Sequence, residues 1–191
     1  MNPALLQRIA AGDTQAFAKL VEMHQGPLFG FLGRMGCPQA QAEDLAQETF
    51  LRAWTQLHRY QPDRAQFNTW LFTIARNLAC NALQSAAHRH ETSGEALPEI
   101  TCLQPGPEHT LDQLQQNARL QAALRQLPLA DRSALALVYV QDLPLADVAR
   151  IEGDSLAAIK TRLHRAKQRL RALLSTETEK PHDESHDRSH D

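Results

Sequence analysis

The residues most suited to chemistry form a run of cations near the C-terminal end. Lys160, Arg162, Arg165, Lys167, Arg169 and Arg171, with His164 among them, lie in one stretch that contains no acid. A solvated helix face usually mixes both signs, so a face of one sign points to phosphate. Leu156, Ile159, Leu163, Ala166 and Leu170 recur at helical spacing through the same stretch, which turns them to a core and the cations away from it. Ser155 stands where it can cap this helix and leave the N-terminus aimed at a phosphate. Ahead of it, residues 145–151 read as a short helix and Gly153-Asp154-Ser155 as a tight turn. The three parts make a helix-turn-helix, whose second helix fits the major groove of duplex DNA. The competing reading is a solvated amphipathic helix.

Two earlier helices carry a second constellation. In the first of them Glu43, Asp44, Gln47, Glu48 and Arg52 line the polar face, with Leu51 beside them. Acids near a helix start are also favoured by the helix dipole alone, so this face has a structural as well as a docking explanation. In the next helix Asn68, Thr69, Phe72, Thr73, Arg76 and Asn77 form the expected exposed side. Amides, an aromatic ring and no acid suit single-stranded DNA, whose bases stack on rings and hydrogen-bond to amides. Little points to an enzyme: no Gly-rich phosphate loop, nucleophile motif or cofactor-binding pattern is present. Cys37, Cys80 and Cys102 are odd in number and widely spaced, which gives neither a zinc site nor a disulfide framework. At the C-terminus His182, His186 and His190 recur every four residues, each followed by Asp. Made helical, they would share a face and hold a divalent transition metal weakly; left solvated, they are incidental.

These groups must be positioned by helices. Leu, Ala, Gln and Arg dominate the 191 residues, while Val and Ile are scarce and never alternate, so the expected fold is all-α. Residues 1–90 read as a module of four helices: a short one, a long one capped by Asp13, one from about Gln39, and one built on Phe67, Trp70, Leu71, Ile74, Ala75 and Leu78. Gly26-Pro27 marks a place for the second helix to bend or break. Residues 91–110, with Pro98, Pro105, Gly106 and Pro107, read as a flexible linker. Residues 111–174 form the second small module, which ends in the helix-turn-helix, and residues 175–191 read as a disordered His/Asp-rich tail. The net charge of −2 conceals an asymmetry: residues 112–174 hold ten Lys/Arg against six acids, whereas residues 91–111 hold four acids and no Lys/Arg. No apolar run reaches the ~20 residues of a membrane span and the first residues lack a signal-peptide pattern, so the cytoplasm is expected.

The stretch Ala42-Glu43-Asp44-Leu45-Ala46-Gln47-Glu48-Thr49-Phe50-Leu51-Arg52-Ala53-Trp54 closely resembles the core-binding helix of bacterial sigma factors. Phe67-Asn68-Thr69-Trp70-Leu71-Phe72-Thr73-Ile74-Ala75-Arg76-Asn77 resembles their promoter-melting helix. Leu143-Pro144-Leu145-Ala146-Asp147-Val148-Ala149 and Ile159-Lys160-Thr161-Arg162-Leu163-His164-Arg165-Ala166 resemble their second DNA-binding module. Size and plain linker are similar to the extracytoplasmic-function (group IV) RNA polymerase sigma factors. The resemblance implies that Asp44, Gln47, Glu48 and Leu51 dock on the clamp helices of the polymerase largest subunit, with the flap as a further contact. It implies that Arg64, Asn68, Phe72, Arg76 and Asn77 read the −10 element as a melted strand, and that Ser155, Lys160, Arg162 and Arg165 read the −35 element as promoter duplex. It further implies a factor monomeric when free, held inactive by an anti-sigma factor, itself membrane-anchored, and serving a stress regulon; metal binding by the tail histidines would make that a metal-response regulon. Where the family usually has Gly-Thr-Val at the start of the recognition helix, this chain has Ala157-Ala158-Ile159. The alternative is a dimeric helix-turn-helix regulator acting on duplex DNA, which has no use for the two earlier motifs.

Overall fold

A computed structural model describes residues 3–93 and 111–176 of the chain. The first group folds as α1 (Pro3–Ala10), α2 (Thr14–Met35), α3 (Gln39–Thr55), a 3-10 turn (Leu57–Arg59) and α4 (Phe67–Ser93). The second folds as α5 (Leu111–Arg125), α6 (Leu129–Tyr139), α7 (Leu145–Glu152) and α8 (Leu156–Thr176). Among the described residues there is no strand, and no helix is long and apolar enough to cross a membrane. Residues 94–110, most of the expected linker, lie outside the described residues, as do residues 177–191 with His182, His186 and His190.

α2 begins at Asp13, whose carboxylate accepts the Ala16 N–H at 3.0 Å. That bond, and Arg8 at 2.7 Å, hold the Asp13 carboxyl below the usual carboxylate range. The helix does not break at Gly26-Pro27 but runs on to Met35. Leu20 on one side of Pro27 and Leu28, Phe31 and Leu32 on the other all enter the same core, and that burial outweighs the loss of one N–H. α2 ends at Gly36, whose φ of 94° and backbone bonds to Gly33 and Leu32 close the helix in a left-handed cap.

α2 is the central element and touches α1, α3, α4, α5 and α6. The contact with α6 joins the two groups of helices, and α4 meets α7 in a second such contact. The two groups of helices are the two expected modules, and their buried residues also share one continuous cluster, from Ile9 in α1 to Ala166 in α8. Arg132 of α6 donates from Nη1 to the Met35 carbonyl at 2.6 Å, and Gln141 donates from Nε2 to the Pro27 carbonyl at 2.8 Å.

Candidate polymerase and nucleic-acid interfaces

α3 is amphipathic in the expected sense. Ala42, Ala46, Thr49, Phe50 and Ala53 are buried, and the Thr49 hydroxyl is satisfied by the Leu45 carbonyl at 2.6 Å. The opposite face presents Asp44, Gln47 and Leu51 to solvent, with Leu51 57% exposed. Glu48 is half-buried and pairs with Arg52 at 2.6 Å, one helical turn on. An exposed leucine ringed by carboxylates and an amide suits a protein partner with an apolar spot inside a basic surround.

Between α3 and α4 the chain turns through the 3-10 segment into a loop held by aromatics. The Tyr60 hydroxyl donates to the Ala65 carbonyl at 3.1 Å, and its ring lies 5.5 Å from Phe67 and 5.4 Å from Trp70. Desolvation pushes the Tyr60 phenol up. A cavity of about 250 Å³ opens here, lined by Arg59, Tyr60, Gln61, Arg64, Ala65 and Trp70. Two guanidinium groups and two aromatic rings around one opening suit a base and its phosphate. Arg64 and Asn77 are exposed and Asn68 is half-buried.

Phe72 requires correction. It is 1% exposed, and its ring meets Phe31 of α2 edge-on at 5.4 Å, so it is part of the core and cannot stack on a base. Thr69 is likewise buried. Arg76 is held away from solvent in an ion pair, Nη2 to the Glu152 Oε2 at 3.0 Å. Sequence reasoning missed Trp70 as a liner of the cavity; the available signal was its position just after a polar loop with two arginines.

α7 ends in Glu152, Gly153 takes φ 72°, and Ser155 caps α8 by accepting the Ala158 N–H at 3.1 Å. Ile159, Leu163 and Ala166 face inward, and Lys160, His164 and Arg165 face solvent. The cations are not all available, as the one-signed run had implied. Arg162 pairs with Asp154 at 2.7 Å and lies 3.6 Å from Glu152, with only 24% of its side chain exposed. Arg169 pairs with Asp131 at 2.7 Å, and the Lys167 ammonium sits 5.7 Å from the centre of the Tyr139 ring. The outward basic face at the start of α8 is therefore carried by Lys160 and Arg165, with Arg162 behind it.

A helix-turn-helix beside an acidic helix and an aromatic-lined loop fits a DNA-binding protein with a separate face for a protein partner. Residues 20–89 match Sigma-70 region 2, and residues 117–170 match Sigma-70, region 4. The chain is 34% identical over 169 residues to the ECF RNA polymerase sigma factor RpoE of Cereibacter sphaeroides, spanning 85% of this chain and 88% of that protein. It is 34% identical over 171 residues to the ECF sigma factor BldN of Streptomyces coelicolor, spanning 89% of this chain but only 64% of BldN. Its fold is similar to that of the sigma factor RpoE from Bartonella quintana, solved with the anti-sigma factor NepR. That likeness has TM-score 0.71 and 28% identity, over 83% of this chain and 96% of the other. The chain belongs to the extracytoplasmic-function sigma factors, which are transcription initiation factors and not catalysts.

Proposed function

We propose that this chain joins core RNA polymerase through α3 and directs it to promoters through the loop before α4 and through α8. The observation that carries the reading is the solvent face of α3, where Asp44, Gln47 and the exposed Leu51 lie within the segment matching Sigma-70 region 2. Asp44, Gln47, Glu48 and Leu51 dock on the clamp helices, and the second module meets the flap. Arg64 at the aromatic-lined cavity, with Asn68, Arg76 and Asn77 further along α4, holds the melted −10 strand. Ser155, Lys160, Arg162 and Arg165 address the −35 duplex, the cap leaving the α8 N-terminus toward phosphate. The factor works in the cytoplasm, where polymerase and chromosome are, and is monomeric when free. The partnership of the structurally similar Bartonella factor with the anti-sigma factor NepR supports an anti-sigma partner here; that partner is membrane-anchored and covers these faces between stimuli. The combined substitution Asp44→Lys and Glu48→Lys is expected to abolish capture of core polymerase while helical content stays unchanged by circular dichroism. Capture at wild-type affinity would remove the docking assignment.

A further inference from the structure

Glu152 is the last residue of α7, and its carboxylate is fully buried. A buried carboxylate is tolerated only with good partners. From its own module it receives the Ser133 hydroxyl and the nearby Arg162 guanidinium. From the other module it receives Arg76, reached across 76 residues of sequence. Arg76 belongs to α4, the helix assigned above to the melted strand. We infer that Glu152 is a clasp: it holds the two modules closed in the free protein and withholds Arg76 from the DNA strand until the factor is recruited.

Three features support a clasp over a permanent strut. First, Arg76 is under-satisfied, since its Nε is buried without a hydrogen-bond acceptor. A guanidinium in that state gains partners by leaving, and a phosphate or base edge supplies them. Second, Ser133, Arg162 and Asp154 all lie in the second module, so opening costs Glu152 only Arg76 and leaves the carboxylate paired. Third, the arrangement depends on one charge. With an uncharged side chain in place of Glu152, Arg76 and Arg162 would face each other across the interface with Asp154 pairing Arg162 only, and like charges would favour separation of the modules.

The junction contains its own reporter. Cys37 and Cys80 are buried there; Arg132 of α6 bears on both thiols, and Arg76 and Glu152 bear on Cys80. Opening is therefore expected to expose them. In the full chain with Cys102→Ser, Glu152→Gln is expected to accelerate modification by an aromatic disulfide reagent on the order of tenfold, because the rate follows the open fraction. The variant should also bind a short fluorescein-labelled single-stranded oligonucleotide more tightly than the parent does. Arg76→Gln, which leaves the second module's own contacts to Glu152 intact, should accelerate the thiols too and guards against a folding defect in Glu152→Gln. Unchanged thiol rates in both variants would overturn the clasp. The inference rests on the strand reading of Arg76 only for its consequence: faster thiols with unchanged strand binding would support the clasp and overturn that reading.

Discussion

His24 lies half-buried on α2, its ring 5.7 Å from Phe67 and its Nε2 without a hydrogen-bond partner. Desolvation holds its pKa below the ordinary 6.5. The unfolded chain therefore takes up a proton, as pH falls below about 6.5, that the folded chain refuses. The stability that His24 confers as a neutral ring is complete above that pH. It is lost progressively as pH falls toward the folded value, by at most about 1.4 kcal/mol per pH unit. His24→Leu should flatten this part of the stability profile without moving its neutral-pH end far. Urea midpoints across the window, for both proteins, measure it. An equal slope in the two would mean that the imidazole titrates freely in the fold. Phe72 makes a related point at the same scale. Its chemistry suited base stacking, and nothing local in the sequence distinguished an outward ring from one that Phe31 receives.

At the level of elements, much was legible because the deciding interactions are local. Asp13 and Ser155 cap helices through backbone groups three residues away, and the apolar spacing of α3 and α8 assigns their buried faces. What failed were cases in which a helix is packed on more than one side. α4 meets α2, α3 and α7, so its buried arc is wider than a single stripe and takes in Thr69 and Phe72. α2 crosses Gly26-Pro27 because partners on both sides of the proline hold it. The recognition element offers a direct check on local control. Ser155→Ala removes the hydroxyl that accepts the Ala158 N–H in the first turn of α8, and should cost about 1 kcal/mol. Thermal unfolding reads that cost. A fall in promoter output larger than the lost stability would place the hydroxyl against DNA as well, whereas an unchanged melting point would mean that water replaces the cap.

Over the whole molecule, the union of the modules was not legible, because its partners are remote in sequence: Arg132 reaches Met35 across 97 residues and Arg76 reaches Glu152 across 76. No pattern of period or charge connects such pairs before the fold brings them together. Their coupling can be separated from simple backbone strain by two glycines. Gly36 and Gly153 both take left-handed φ, 94° and 72°, so alanine at either costs roughly 1–2 kcal/mol. At Gly153 a Cβ would meet nothing within 4 Å, and the cost is conformational alone. At Gly36 the Cβ would lie 2.5 Å from Nη1 of Arg132. That side chain is long enough to withdraw, but withdrawal breaks its bond to the Met35 carbonyl and loosens α6 from the end of α2. Gly153→Ala should therefore lower the melting temperature and keep one cooperative transition, as a shared core requires. Gly36→Ala should lower it further and split unfolding into two steps by calorimetry, the second module separating from the first before either melts. A single transition in both variants, with equal losses, would mean that the Arg132 contact adds nothing to the cohesion of the modules.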